Sequence, residues 1–130
     1  MRPETLVRDY RAACDKLAAA MRKKDPSELE RAGAIQYFEL AFELGWKACK
    51  AKAEELGLTE VRSPRAALRE AMAQKWIRDE TRWLEMLEAR NRMAHVYSAE
   101  QALEVFGRLA DFSRALGQLA QALEGLAETK

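Results

Sequence analysis

Apolar residues recur at three- and four-residue spacing along most of the chain, the period of helices that turn one face to a core. From about Pro3 to Lys24, Leu6, Tyr10, Ala13, Leu17 and Ala20 form one stripe. From about Pro26 to Leu56 two stripes run together. Ile35, Phe38, Phe42, Trp46, Cys49, Ala53 and Leu56 make one, and Tyr37, Leu40, Leu44 and Ala48 make the other. Gly57 supplies the stop. Two apolar faces require two sets of neighbours: the bundle core, and either a further helix of the chain or a second subunit. A dimer is the commoner way to cover such a surface. Ser63-Pro64 reads as N-cap and first residue of a short helix to about Gln74. Asp79-Glu80 opens another to about Ala94, with Trp83, Leu84 and Leu87 facing inward. Ser98 with Gln101 three residues on has the capping-box pattern and starts the last helix. There Val105, Leu109, Phe112, Leu116, Leu119, Leu123 and Leu126 alternate spacings of four and three, which implies a nearly antiparallel partner at a shallow angle. The pattern predicts an all-α, up-and-down four-helix bundle with one extra short helix. It forms a single domain over residues 1–130, dimerises, and frays from about Glu128 onward.

Composition sharpens this picture. Val, Ile and Thr together number 10 of 130 residues, while Ala, Leu, Glu, Arg and Lys dominate, so strand formers are scarce. Lys+Arg 22 against Asp+Glu 21 gives a net charge of +1 and no global basic excess, so any nucleic-acid contact must be local. No apolar run approaches the roughly 18 residues needed to span a bilayer, and Met1 to Thr5 has no signal-peptide core, which points to the cytoplasm. Cys14 and Cys49 lie far apart with no CxxC partner, so they read as small buried apolar residues rather than a zinc site or disulfide. No metal or cofactor is expected.

One stretch carries candidate chemistry. The single His of the chain, His95, and its single Asn, Asn91, stand four residues apart in Arg90-Asn91-Arg92-Met93-Ala94-His95-Val96-Tyr97. On a helix that spacing aims both at one ligand, with Arg90 and Arg92 beside them. The set offers an imidazole that titrates near neutral pH, guanidinium groups suited to phosphate oxygens, and an orienting amide. Metal-free RNA cleavage, in which the 2′-hydroxyl attacks the adjacent phosphate, needs only a proton carrier and a cation: His95 and Arg90. One His per chain is few for acid and base together, and a two-fold dimer would supply a second. Taken alone, the same residues also read as a C-terminal helix cap and as arginines paired with Glu85 or Glu88, with Tyr97 a partly buried aromatic.

At this motif the sequence resembles the HEPN superfamily, in its HepT branch, long labelled nucleotidyltransferase substrate-binding proteins. Arg90, His95 and Tyr97 match the signature of Arg, four residues, His, one residue, Tyr, and Asn91 matches the polar residue after the Arg. The stretch Ile35 to Lys47, including Phe42-Glu43-Leu44-Gly45-Trp46-Lys47, and the Ser63-Pro64-Arg65 opening are similar too. The resemblance implies a dimer whose two Arg90–His95 motifs share one RNA-cutting cleft. It also implies a minimal nucleotidyltransferase antitoxin that silences the toxin by transferring AMP to Tyr97. An anionic group two residues from His95 would occupy the cationic groups meant for RNA phosphate.

From Arg62 to Arg92 eight Lys/Arg face five acids, a local excess of +3 that reads equally as a phosphate-tracking surface or a solvated helix face. Glu39 and Glu43 interrupt an apolar helix. Pairing of Glu43 with Lys47 one turn on is the simplest account, and a role in orienting His95 or Arg90 across the dimer is the other. The reading is a homodimeric, metal-independent ribonuclease toxin with Arg90, His95 and Asn91 catalytic, Arg92 assisting RNA binding and Tyr97 regulatory. The alternatives are a non-catalytic substrate- or nucleotide-binding subunit of a two-component nucleotidyltransferase, and a purely structural helical dimer.

Overall fold

A computed structural model describes residues 2–58 and 60–128, and among them there is no strand. Among the described residues six α-helices follow one another: α1 (Pro3–Met21), α2 (Glu28–Glu55), α3 (Pro64–Ala73), α4 (Glu80–Arg92), α5 (Ala99–Phe106) and α6 (Leu109–Glu128). A single 3-10 turn, Met93–His95, joins α4 to the loop before α5. The fold is the expected all-α bundle.

Helix starts have local causes. Ser27 accepts the Glu30 N–H at 3.1 Å while the Glu30 carboxylate takes the Ser27 N–H at 2.9 Å, a reciprocal capping box that opens α2. Ser63, Asp79 and Ser98 accept N–H groups of Ala66, Arg82 and Gln101 at 3.0–3.1 Å, so all three sequence-predicted caps are present. Asp25, with φ at 47°, turns the chain after α1, which ends at Met21 rather than at Lys24.

The last helix departs from expectation, because it is two helices. Arg108 N–H reaches back only three residues, to Val105 at 3.0 Å, and the ladder restarts where Phe112 N–H meets the Arg108 carbonyl at 3.2 Å. The break falls at Gly107, the poorest non-proline helix former. It separates α5, which has no fully buried residue, from the heptad run Leu109, Phe112, Leu116, Leu119 and Leu123, which is wholly core. The expected fraying bears on Thr129 and Lys130, which lie outside the described residues.

Core packing centres on α1, α2 and α6. Phe38 of α2 stacks on Phe112 of α6 with centroids 5.2 Å apart, and Phe42 meets Trp83 of α4 at 6.2 Å. Tyr10 is fully buried, and its hydroxyl donates to the Leu116 carbonyl at 2.6 Å. Its ring lies against Gly45, where an added Cβ would stand 2.9 Å from Tyr10 Cε1. On the second stripe of α2, Ala48 is buried and Leu44 half-buried, whereas Tyr37 and Leu40 remain exposed. That face is therefore covered only toward its C-terminal end. Cys14 and Cys49 are free and buried as expected. Among the described residues no helix is long and apolar enough to cross a membrane.

Gly45→Ala forces the Tyr10 ring or α2 to shift and should cost about 1–3 kcal/mol, read as a lower urea midpoint. Tyr10→Phe should cost about 1 kcal/mol by the same measurement. Burial pushes the Cys14 thiol to about 11 and the Cys49 thiol to about 12. Groups raised on folding stabilise below their unfolded pKa and lose that contribution as pH rises through the folded one. The unfolding midpoint should therefore fall between about pH 9 and about pH 12, and the fall should be shallower in Cys49→Ala.

Candidate functional site

The motif residues sit where α4 ends. Arg90, Asn91 and Arg92 close the helix, His95 completes the 3-10 turn, and Tyr97 stands in the short loop before α5. The turn changes the geometry that an unbroken helix would give. Each 3-10 residue rotates about 20° further round the axis than an α residue, so Asn91 and His95 no longer share one face as an i,i+4 pair. Asn91 Oδ1 instead accepts from Arg90 Nη1 at 3.0 Å. His95 Nδ1 lies 3.3 Å from the Tyr97 hydroxyl, ring against ring edge with centroids 6.2 Å apart.

Arg90 faces α2. Its Nε donates to Glu43 Oε1 at 2.7 Å, and the other oxygen of Glu43 accepts the Trp46 indole N–H at 3.0 Å. Glu43 therefore pairs with a residue distant in sequence rather than with Lys47, whose ammonium stands over the Trp46 ring at 5.9 Å. Both partners of the Glu43–Arg90 pair are about one-third exposed, at 33% each. Neighbouring Glu39 has its carboxyl held above the usual range, first by burial and then by the Glu43 charge. Of the five groups the sequence marked as chemical, Arg90 is thus the one fixed by a tertiary carboxylate.

A hollow of about 360 Å³ opens on the other side of the helix end. Arg92 and His95 line it together with Gln101, Glu104 and Arg108, whereas Arg90, Asn91 and Tyr97 do not. Arg92 is paired with Glu88 at 2.5 Å. Arg108 was not singled out by sequence. It bonds Glu85 at 3.1 Å and covers the Phe112 ring at 5.1 Å, and its only sequence signal is its place after the Gly107 break. Tyr97 is 79% exposed, yet its backbone is pinned, because its N–H donates to Gln101 Oε1 at 2.8 Å. Gln101 spends its side chain there rather than on the Ser98 N–H of a strict capping box. Among the described residues no group of three or more His, Cys, Asp or Glu is placed to hold a metal ion.

Within the hollow, Arg92 and Arg108 can offer guanidinium donors to a phosphate beside the His95 imidazole. A family model described as nucleotidyltransferase substrate binding protein like matches residues 6–125. A probable ribonuclease HepT of Haemophilus influenzae is 32% identical over an alignment of 85 residues that covers 62% of this chain and 58% of that protein's length, less than two-thirds of the relative. A solved Thermus thermophilus structure superposes with a TM-score of 0.80 at 34% identity, covering 88% of this chain and 98% of that one. A second, from Haemophilus influenzae, is described as the fold of a substrate binding domain of a nucleotidyltransferase. It gives a TM-score of 0.78 at 25% identity and covers 91% and 98% of the two chains.

Glu43→Gln should change the unfolding free energy by less than about 1 kcal/mol, because a partly exposed pair is screened by water. In the same variant the Arg90 Nε–H and Trp46 indole resonances should both move in a proton–nitrogen correlation spectrum, and a shift of neither would contradict the bridge.

Proposed function

The chain belongs to the nucleotidyltransferase substrate binding protein-like family, and on that premise we propose that it is a HepT-like toxin, a metal-independent endoribonuclease working as a homodimer. The observation that carries this reading is the Arg90-Asn91-(x)3-His95-x-Tyr97 element, with Arg90 braced by Glu43 and the His95 imidazole beside an exposed Tyr97 hydroxyl. In the proposed step the RNA 2′-oxygen attacks the adjacent phosphorus, the 5′-oxygen leaves, and a 2′,3′-cyclic phosphate forms. His95 of one subunit takes the 2′-hydroxyl proton and His95 of the other protonates the leaving oxygen. Arg90 binds the phosphate and stabilises its growing negative charge, with Asn91 setting the guanidinium and Arg92 holding a flanking phosphate. The open Tyr37 and Leu40 face of α2 supports the second subunit, since large apolar residues side by side on a surface mark an interface.

In this proposal the protein's partner is a minimal nucleotidyltransferase acting as antitoxin. The Tyr97 hydroxyl attacks the α-phosphorus of ATP on that partner, pyrophosphate leaves, and the attached AMP places an anion over the cationic cleft. The accessibility of the hydroxyl, with the backbone beneath it tied to Gln101, supports the assignment. A second reading is favoured by the family's own description: a non-catalytic subunit that presents a nucleotide or other substrate to the nucleotidyltransferase.

Incubating the purified protein with mixed RNA in EDTA separates the two. The expected result is cleavage leaving 2′,3′-cyclic phosphate ends, abolished in His95→Ala and lowered at least a hundredfold in Arg90→Ala, with the oligomeric state unchanged. Absence of cleavage by protein whose intact mass shows Tyr97 unmodified favours the substrate-presenting subunit. AMP transfer should occur on the wild type and not on Tyr97→Phe; a modified Tyr97→Phe protein would remove the regulatory assignment.

A further inference from the structure

A second cavity, larger than the hollow beside His95, lies toward the opposite end of α4. It encloses about 730 Å³ between the turn that follows α3, the indole of Trp83 and one face of α6. That volume falls in the range of small-ligand sites. Its floor is apolar, made by Trp76, Trp83 and Leu119, and polar groups stand at its walls: Lys75, Arg78 and Asp79 on the turn, Gln118 and Gln121 on α6.

Three features distinguish this cavity from an ordinary surface dip. Trp83 is 2% exposed, yet no described residue accepts its indole N–H. No buried polar side-chain atom among the described residues is sealed away without a partner, so that N–H keeps some accessible surface, and Trp83 lines the cavity. Next, Lys75 and Arg78 form no ion pair among the described residues, whereas Asp79 beside them spends a carboxylate oxygen on the Arg82 N–H. Finally, the backbone is strained where the first cation is attached. Trp76 N–H returns to the Ala71 carbonyl at 2.9 Å and Lys75 N–H to Met72 at 3.1 Å, the double closure of a Schellman motif. The position after the cap in that motif takes a left-handed residue, usually glycine, and here it is Lys75 with φ at 65°. A glycine would fit with less strain, so the lysine brings an ammonium to the cavity at the expense of backbone comfort.

From these groups we infer that the cavity is a binding site for a nucleoside monophosphate, separate from the Arg90–His95 region. The base lies on the Trp76 and Leu119 floor, where a flat ring gains stacking and apolar contact. The Trp83 N–H donates to a ring nitrogen or carbonyl. Gln118 and Gln121 offer the amide pair of donor and acceptor that matches an adenine edge. The phosphate meets Lys75 and Arg78 at the mouth, where charge-assisted hydrogen bonds are strongest for an anion with several oxygens. Adenosine lacks the charge and inorganic phosphate lacks the ring, so each should engage only half of the site.

The test is a titration of the full chain carrying Trp46→Phe, so that only Trp76 and Trp83 fluoresce, with AMP, adenosine and inorganic phosphate as probes. Calorimetry on the wild type gives the stoichiometry. Saturable quenching by AMP is expected, with adenosine and phosphate each binding at least about tenfold more weakly. Lys75→Gly removes the cation and relieves the left-handed strain together. It should lower AMP affinity about tenfold while leaving the melting temperature equal or higher, so a folding defect cannot explain the loss. No saturable response to AMP up to about 1 mM, a dissociation constant weaker than that of ordinary metabolite sites, overturns the inference. So does phosphate binding as tightly as AMP, and so does an affinity unchanged in the Lys75→Gly, Arg78→Ala double variant.

Discussion

One buried hydroxyl fixes the arrangement of the three longest helices. Tyr10 projects from α1 across the face of α2 and donates to the Leu116 carbonyl of α6, and its ring fits only because α2 carries no side chain at Gly45. A buried phenol without an acceptor would be strongly unfavourable, so the hydrogen bond selects one depth and one rotation for α1 against α6. The glycine selects the rotation of α2. With Gly45 turned to Tyr10, Glu43 and Trp46 are carried round toward α4, where Arg90 meets them. The core constraint and the candidate site are thus consecutive readings of one helix register.

Local rules made most of this architecture legible in the sequence. Ser63-Pro64, Asp79 and Ser98 cap the helices they were expected to cap, because a side-chain oxygen at that position satisfies an N–H that nothing else can. The apolar stripes of α1 and α6 identified their core residues for the same reason: burial follows the helical period. What sequence reasoning misplaced depends on contacts between distant residues. The i,i+4 rule offered Lys47 to Glu43, but a helix-surface pair contributes a few tenths of a kcal/mol, and Arg90 on another helix outcompetes it. The shared face of Asn91 and His95 assumed α-helical geometry as far as His95, and the chain tightens into a 3-10 turn two residues earlier, at Met93. The break at Gly107 was hidden by a heptad run that continues on both sides of it.

Within one chain the motif is divided. Arg90 is directed to Glu43 and α2, whereas His95 shares its hollow with Arg92 and Arg108. A reaction that needs Arg90 and His95 around one phosphate is better served by groups from two chains than by the pair within one, as the proposed dimer would provide. The same division gives Glu43 a clear physical role. It holds the guanidinium through Nε while Asn91 takes Nη1, which in the proposed reaction leaves Nη2 to face a phosphate, and the Trp46 N–H shares the carboxylate and keeps it from rotating.

The helix that walls the hollow is also the one least anchored to the body of the protein. α5 spans eight residues, none of them fully buried, and is separated from α6 by the Gly107 interruption. Segments with so few buried apolar contacts open by local unfolding at free energies well below that of the whole domain. Since α5 contributes Gln101, Glu104 and Val105 to the wall around His95, the hollow has a rigid side made by α4 and a yielding side made by α5. The size of that space is then set by an equilibrium rather than by a fixed wall. Temperature and mild denaturant should widen it long before the Tyr10-centred core responds.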